Sequence, residues 1–474
     1  MAQNLKAEKN LSKTNEVRSE QFKVQSQKVS AARLAAFEIL QKIAVEKAFS
    51  AILLPAYEEN LKPEDRALCH ELTLGILRNQ TWLDAHIAHF SGKNPEKLDL
   101  AVRLALRIGL YQLKFLTKIP ASAAVNESVN LVYLAKKRSA AGFANAVLRK
   151  SEREPNFNPL ESIENPVQRL AVETSHPIWL LKKWQDQFGF DETVKLARIN
   201  NEAPPTAFRI TAENKENILE ELQNEGAALS ESSIVSNAWR ISGATQKLRA
   251  FVAAGAIYLQ DEASQLVAHI ARINAGENFL DVCAAPGGKT TLVAALYAQT
   301  RKPNSELQSL LTAGDYTAPR IRILRETIAK YAPEKIAIVR YDATQSLPFA
   351  DRIFDCVLVD APCSGTGTIR HNPEIRWHLS KEDFAILAEK QLRIFSNAAA
   401  LVKTCGRVIY STCSLEPEEG EQIIAKFLSQ NGDFALVKRD LPKKFVCGAN
   451  SVRTFPPRDD TDGFFITVLE RGEC

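Results

Sequence analysis

Residues Phe354–Thr368 read FDCVLVDAPCSGTGT, and the fold turns on how that stretch divides. Its first half is a short apolar run rich in Val and Leu, the pattern of a strand buried on both faces of a parallel sheet. Its second half breaks into Pro, Ser and Gly, so the chain leaves the sheet in a loop. Open α/β sheets bind ligands at the carboxyl ends of their strands. Asp360 and Cys363 therefore stand where a site would form. An Asp capping a turn and a Cys serving as small apolar filler would leave the same letters.

Outward from this stretch, strand-like and helical runs alternate from Asn274, which implies a mostly parallel sheet with helices on both sides. Strands are expected at Phe279–Cys283, Leu310–Asp315, Ile336–Asp342, Phe354–Asp360 and Arg407–Thr412, with a last antiparallel strand at Phe464–Leu469. Helices are expected after Lys289, Ala318, Ser380 and Glu418.

The first of these strands runs into Cys283-Ala284-Ala285-Pro286-Gly287-Gly288-Lys289-Thr290. Two glycines let a ligand approach the backbone, and the following helix offers unpaired N–H groups. A phosphate loop needs a glycine where Cys283 stands, and no G-x-G-x-x-G is present, so Walker and dinucleotide readings both fail. A nucleoside ligand without a terminal phosphate remains, and S-adenosyl-L-methionine fits. Asp315 ends the second strand, where a carboxylate commonly holds a ribose diol, and Asp342 ends the third, within reach of an adenine amine. Each is also an ordinary turn former.

The fifth strand delivers Tyr410-Ser-Thr-Cys-Ser414. Cys363 and Cys413 are then both expected at the carboxyl edge, facing one pocket beside Asp360. Methylation of pyrimidine C5 uses two thiols. Carbon 5 of cytosine is too weak a nucleophile to take a sulfonium methyl unaided, and a thiolate adding at C6 turns the ring into a reactive enamine. An acid at N3 stabilises that adduct, which suits Asp360, and a base must later remove the C5 proton. A free thiol has a pKa of about 8.5, so the site must lower it. The target base must also be single-stranded or flipped out. Chemistry alone does not order the two thiols.

The front of the chain differs in kind. Residues 1–150 carry 23 Lys+Arg against 14 Asp+Glu, while the rest carries 37 against 42, a basic front on a mildly acidic back. Residues 1–30 are Lys-, Gln-, Ser- and Asn-rich and are expected to be a flexible basic tail. From Ala31 to about Ser151 the pattern is helical, with Leu34, Phe37, Leu40 and Ile43 on one face. Val102, Leu106, Leu110 and Leu113 repeat this, while Arg103, Arg107, Lys114 and Lys118 fall on another face of a helix that Pro120 is expected to stop. Such a stripe suits phosphate contact, and equally a plain solvated face. Ser175–Gly189 reads as an amphipathic helix opened by Ser175 and Pro177. Thr206 to about Tyr258 mixes strand-like AFRI, AWRI and AIYL with a helical stretch, a small α+β, RRM-like unit without the aromatic stacking motif.

No run of about 18 apolar residues suggests a membrane span. Glu8, Glu16 and Glu20 argue against a transit peptide. The eight cysteines contain no C-x-x-C pair, so neither a zinc site nor a disulfide framework is expected, and reduced thiols in the cytoplasm are.

Three phrases, Gly75-Ile-Leu-Arg78, Pro120-Ala-Ser-Ala-Ala-Val-Asn126 and Phe143-Ala-Asn-Ala-Val-Leu-Arg149, resemble the NusB-like RNA-binding domain. DVCAAPGGKT, DAPCSGTGTIR, PEIRW and YSTCS resemble the Sun/RsmB (Fmu) type within the RsmB/NOP group of RNA cytosine-C5 methyltransferases. The resemblance spans about Ser30 to Cys474. Beside the flexible tail (1–30) and the linker helix and small α+β RRM-like unit (166–270) read above from composition and pattern, it implies a multidomain chain with an all-α NusB-like bundle that grips RNA (31–155) and an α/β Rossmann-like class I methyltransferase domain (271–474). It implies 5-methylcytosine formation in 16S ribosomal RNA, with Cys413 as nucleophile and Cys363 aiding product release. It also implies a cofactor pocket of Cys283, Ala284, Ala285, Pro286, Gly287, Gly288, Lys289, Asp315, Asp342 and Asp360 for S-adenosyl-L-methionine. RNA contact is expected from Arg103, Arg107, Lys114, Lys118 and Arg149, with no metal, no membrane and a monomeric state. The chain departs from the family at Gly420, where Asn is usual, and at Phe455–Asp460, where a His is common. The same chemistry on tRNA, and a non-catalytic RNA-binding factor, are the competing readings.

Overall fold

The computed structural model describes residues 29–300, 309–437, 443–447 and 450–472; the expected tail, but for residues 29 and 30, lies outside them. The chain clusters into two units, one of residues up to Asn201 with His371–His378, the other of Glu202–Arg370 and Leu379 onward.

The first unit is helical. Ala31–Glu46, Ser50–Glu58, Pro63–Arg78, Gln80–Ser91, Leu100–Phe115, Ala121–Leu134 and Ala141–Arg153 are followed by Pro166–Thr174, Ile178–Phe188 and Phe190–Ile199. Ala32, Ala36, Ile39, Leu40 and Ile43 are all buried, a three-to-four-residue step that gives the first helix one apolar face. Asp99 starts Leu100–Phe115 by accepting the Ala101 N–H at 3.0 Å, a cap worth about 1 kcal/mol. That helix ends at Phe115, and Pro120 sits at the N-cap of the next helix instead of stopping the earlier one. Ser175 likewise closes the preceding helix in a left-handed conformation (φ 53°), leaving Pro177 alone to open Ile178–Phe188.

The PEIRW motif belongs to this helical unit. Glu374 is fully buried and accepts from the Ser50 N–H at 2.6 Å and its hydroxyl at 2.9 Å. Arg376, equally buried, donates to the Thr174 carbonyl (2.9 Å) and to Asn201 Oδ1 (2.8 Å). Burial, with Arg78 nearby, pulls its guanidinium down to about 9. A buried cation satisfied by carbonyls is costly to disturb.

The second unit opens with a four-stranded antiparallel sheet of β1 (Thr206–Ile210), β2 (Ala228–Glu231), β3 (Ala238–Ser242) and β4 (Ile257–Leu259), in the order β2-β3-β1-β4. Helices Lys215–Asn224 and Thr245–Ala254 complete a βαββαβ unit, one helix and one strand more than the sequence reading counted. Arg209 of β1 is buried, stacks over Tyr258 and donates to Thr291 Oγ1 at 2.8 Å, fastening this sheet to the larger domain.

The large sheet runs β11-β12-β13-β9-β8-β5-β6-β7. Its parallel part is β5 (Phe279–Asp281), β6 (Leu311–Asp315), β7 (Ala337–Arg340), β8 (Phe354–Asp360) and β9 (Val402–Thr412). Helices Gly288–Thr300, Ala318–Tyr331, Asp383–Ala400 and Glu421–Gln430 flank it. Strands β10 (Phe434–Leu436), β11 (Val446–Cys447) and β12 (Ser451–Arg453) were not foreseen, whereas antiparallel β13 (Phe465–Arg471) was. Strand order reverses at β5, between β6 and β8, so the carboxyl ends of these strands form the crevice where such sheets take ligands. No described helix is long and apolar enough to cross a membrane.

Candidate active site

Strand β8 pairs in parallel with β9, with Asp360 opposite Ser411, so DAPC and STCS leave the sheet side by side. Cys363 and Cys413 converge there, with their sulfurs 3.2 Å apart. The two loops are stitched together: Gly367 N–H donates to the Cys413 carbonyl (3.0 Å) and Leu415 N–H to Thr366 Oγ1 (3.0 Å). A side chain at Gly367 would collide with the Gly463 carbonyl, so only glycine lets this loop seat.

Asp360 accepts from Lys289 Nζ at 2.7 Å on one oxygen and from the Ser411 hydroxyl at 2.8 Å on the other. Burial alone would lower the Lys289 ammonium, but the charges of Asp360, Cys413 and Asp281 hold it above its ordinary value. Lys289 thus brings a positive charge toward Cys413. The hydrogen bond of Cys363 with Cys413, its burial and the charges of Cys413, Glu419 and Asp360 hold the Cys363 thiol well above the usual range.

The Cys283–Lys289 loop lies between acids. Burial pushes Asp281, at the end of β5, up to about 7, with Asp360 and Asp315 adding to that rise and the Thr290 hydroxyl (2.6 Å) opposing it. Burial and the same three acids also push the Cys283 thiol up. Gly287 adopts φ 112°, a left-handed conformation that favours glycine, and a Cβ there would press on Leu324 and Thr327. Asp315 is held by Arg320 (2.6 Å) and by the N–H groups of Ala285 (3.0 Å) and Tyr316 (2.8 Å). Asp342 lies past the end of β7 and accepts from the N–H and hydroxyl of Thr344, which lower its carboxyl.

Sequence reasoning missed Asp281, Ser411 and Glu419. The first two stand at strand ends, a position the sequence did signal. Glu419 is fully buried, and its carboxylate accepts from the Ser364 N–H (2.9 Å), Ser414 Oγ (2.6 Å), Gln391 Nε2 (2.8 Å) and Ser364 Oγ.

The expected basic stripe is interrupted at Arg107. Arg107 is 4% exposed and makes a two-pronged pair with Asp84 at 2.8 and 2.6 Å, because that face of its helix meets Gln80–Ser91 and not solvent. Lys114 donates to the carbonyls of Glu154 (3.2 Å) and Pro155 (3.0 Å), and Arg103 to that of Pro95 (3.4 Å). Arg149 pairs with Glu152 at 2.9 Å. Lys118 is exposed, but lies beyond the helix.

Comparison with known proteins decides the family. A model described as "16S rRNA methyltransferase RsmB/F" matches residues 268–470, "NusB family" matches 30–153, and "Methyltr_RsmF/B-like, ferredoxin-like domain" matches 176–246. The "Probable ribosomal RNA small subunit methyltransferase B" of Bacillus subtilis is 34% identical over 458 residues, covering 94% of this chain and 99% of that protein. The chain belongs to the RsmB/F methyltransferase family. The "Ribosomal RNA small subunit methyltransferase B" of Pasteurella multocida is 31% identical, covering 95% of this chain and 98% of that one. Among solved structures, PH0851 superposes with a TM-score of 0.79 at 25% identity, covering 94% and 99% of the two chains. The NSun6 of Pyrococcus horikoshii (TM-score 0.54, 19% identity, 63% and 99% covered) shares the fold. The family is one of S-adenosyl-L-methionine-dependent methyltransferases, and its domain order, NusB-like, ferredoxin-like, methyltransferase, is the order found here. The RRM-like unit is thereby placed as ferredoxin-like.

Proposed function

We propose that this protein methylates carbon 5 of a cytosine in small-subunit ribosomal RNA through a covalent adduct with Cys413. The observation that carries this reading is the 3.2 Å approach of two thiols from neighbouring strands, beside the Lys289–Asp360 pair. A binding factor without chemistry has no use for that pair.

The cofactor would lie along the Cys283–Lys289 loop. Asp281, Asp315 and Asp360 surround this loop with negative charge, and Asp281 Oδ1 is buried without a hydrogen-bond partner. Those residues fit a ligand carrying a sulfonium and an ammonium. Asp315 is assigned the ribose diol and Asp342 the adenine edge. When bound, S-adenosyl-L-methionine supplies an electrophilic methyl group.

Cys413, which the Lys289 ammonium faces, is assigned the role of nucleophile. Its thiolate adds to C6, the C5–C6 double bond opens, and Asp360 relays to N3, where negative charge arrives, a proton from the Lys289 ammonium that it pairs with at 2.7 Å. Carbon 5, now an enamine carbon, takes the methyl group. Its remaining proton must then pass to a base so that the double bond re-forms and Cys413 leaves as thiolate. Cys363, whose sulfur lies 3.2 Å from that of Cys413, is assigned this late step: it passes its own proton to solvent and takes the C5 proton as a thiolate. The substrate cytosine is presented single-stranded or flipped.

Mapping 5-methylcytosine in cells with and without the gene tests the proposal. Loss of one small-subunit site is expected. An unchanged map rejects it, and loss from tRNA instead moves the chemistry to another substrate.

A further inference from the structure

We infer that Glu419 is a positioning residue that sets the distance between the two thiols. It touches neither sulfur. It holds instead the residues that follow them in the chain, Ser364 after Cys363 and Ser414 after Cys413. One carboxylate thereby spans both loops. Its Oε1 accepts the Ser364 N–H (2.9 Å) and Gln391 Nε2 (2.8 Å), while its Oε2 accepts the Ser364 and Ser414 hydroxyls, the latter at 2.6 Å. Gln391 anchors this group to helix Asp383–Ala400 and also donates to the Pro362 carbonyl at 3.0 Å, on the other side of Cys363. Tyr410 of β9 donates to the Glu419 carbonyl at 2.8 Å, fixing its backbone from beneath.

Glu419 is fully buried, and among the described residues no lysine, arginine or histidine forms an ion pair with it. A buried carboxylate satisfied only by neutral donors costs stability that a neutral residue would avoid. Such a cost is repaid where geometry matters more than stability. The thiols must be near enough for Cys413 to add while Cys363 waits beside it. A displacement of about 1 Å at a reacting centre costs about a hundredfold in rate.

This inference rests on the two-thiol reading above, and the experiment separates the two. Full-length wild type, Glu419→Gln and Glu419→Ala are compared in two ways. The first is steady-state methyl transfer to small-subunit RNA. The second is the rate at which diamide converts Cys363 and Cys413 to a disulfide, read by mass spectrometry of the alkylated peptides; both thiols lose hydrogen and the azo group is reduced to a hydrazine. Glu419→Ala is expected to lower kcat about a hundredfold, with KM for both substrates within about threefold, and to slow disulfide formation in step. Glu419→Gln keeps the length and one acceptor oxygen, so it loses about one hydrogen bond's worth, roughly tenfold, and closes the disulfide at an intermediate rate. If Glu419→Ala fails to fold, the isosteric Gln variant decides. Wild-type kcat and disulfide rate in Glu419→Gln, or a kcat loss in either variant with thiol pairing unchanged, overturns the inference. A wild type that pairs its thiols as expected yet transfers no methyl group defeats the functional reading and leaves the positioning role intact.

Discussion

Two regions of this protein carried functional expectations of the same kind, and they came out differently. At the carboxyl edge of the large sheet, residues 50 and 71 apart in sequence meet: Cys363 and Cys413 touch, and Asp360 pairs with Lys289. On helix Leu100–Phe115, residues only four to eleven apart separate into local partnerships, Arg107 with Asp84 and Lys114 with backbone carbonyls. The difference lies in what positions a side chain. A parallel α/β sheet puts every strand's carboxyl end on one edge, so a strand-end residue is placed by topology alone. A helix fixes only which residues share a face, and the neighbour packed against that face decides whether a cation meets solvent or a carboxylate.

The sharpest way to break this contrast is Cys413→Ala, for which methyl transfer should fall by at least about four orders of magnitude with the fold intact. Transfer within tenfold of wild type would remove the distinction between the two regions. On the helical side, Arg107→Ala should act on stability, costing about 3 kcal/mol in denaturant unfolding because it strands Asp84 next to a buried cavity. Lys118→Ala should leave stability unchanged and flatten the salt dependence of RNA binding by a slope of about one or less. If Arg107→Ala weakens RNA binding in proportion to a phosphate contact while the melting curve stays put, the stripe is an interface after all.

Asp281→Asn sharpens the comparison by pH. The native carboxyl stands near 7 and the unfolded one near 3.8, so the folded state binds more protons between them. The contribution of Asp281 is therefore full below the unfolded value and is lost as pH rises through about 7. Replacing it with Asn should flatten the fall in stability across pH 4–7 relative to wild type. A parallel pair of stability curves would contradict the burial argument.

Much of this architecture was legible, for definite reasons. β8 has the bounds its apolar run announced, Phe354–Asp360, because both its faces are buried. β9 begins at Val402 and not at the expected Arg407, since its first part (Val402–Gly406) is polar and partly exposed, with Cys405 in a left-handed conformation (φ 60°). β2 reads ALSE, an edge strand with little buried surface and hence no alternation to detect. Glu419 was invisible because an acid in PEEGE reads as solvent-facing, and only the fold of two loops around it makes it interior. Arg107 was misread for the converse reason: its spacing matched that of Arg103 and Lys114, while its partner Asp84 sits on another helix.

The most direct test of the central claim is to incubate Cys363→Ala with small-subunit RNA and S-adenosyl-L-methionine, denature, digest, and sequence the nucleotide-bearing peptide by mass spectrometry. A 5-methylcytosine linked to Cys413, and absent from the Cys363→Ala/Cys413→Ala double variant, is the predicted result. A nucleotide found on any other residue, or normal multiple turnover with no adduct, would contradict the account.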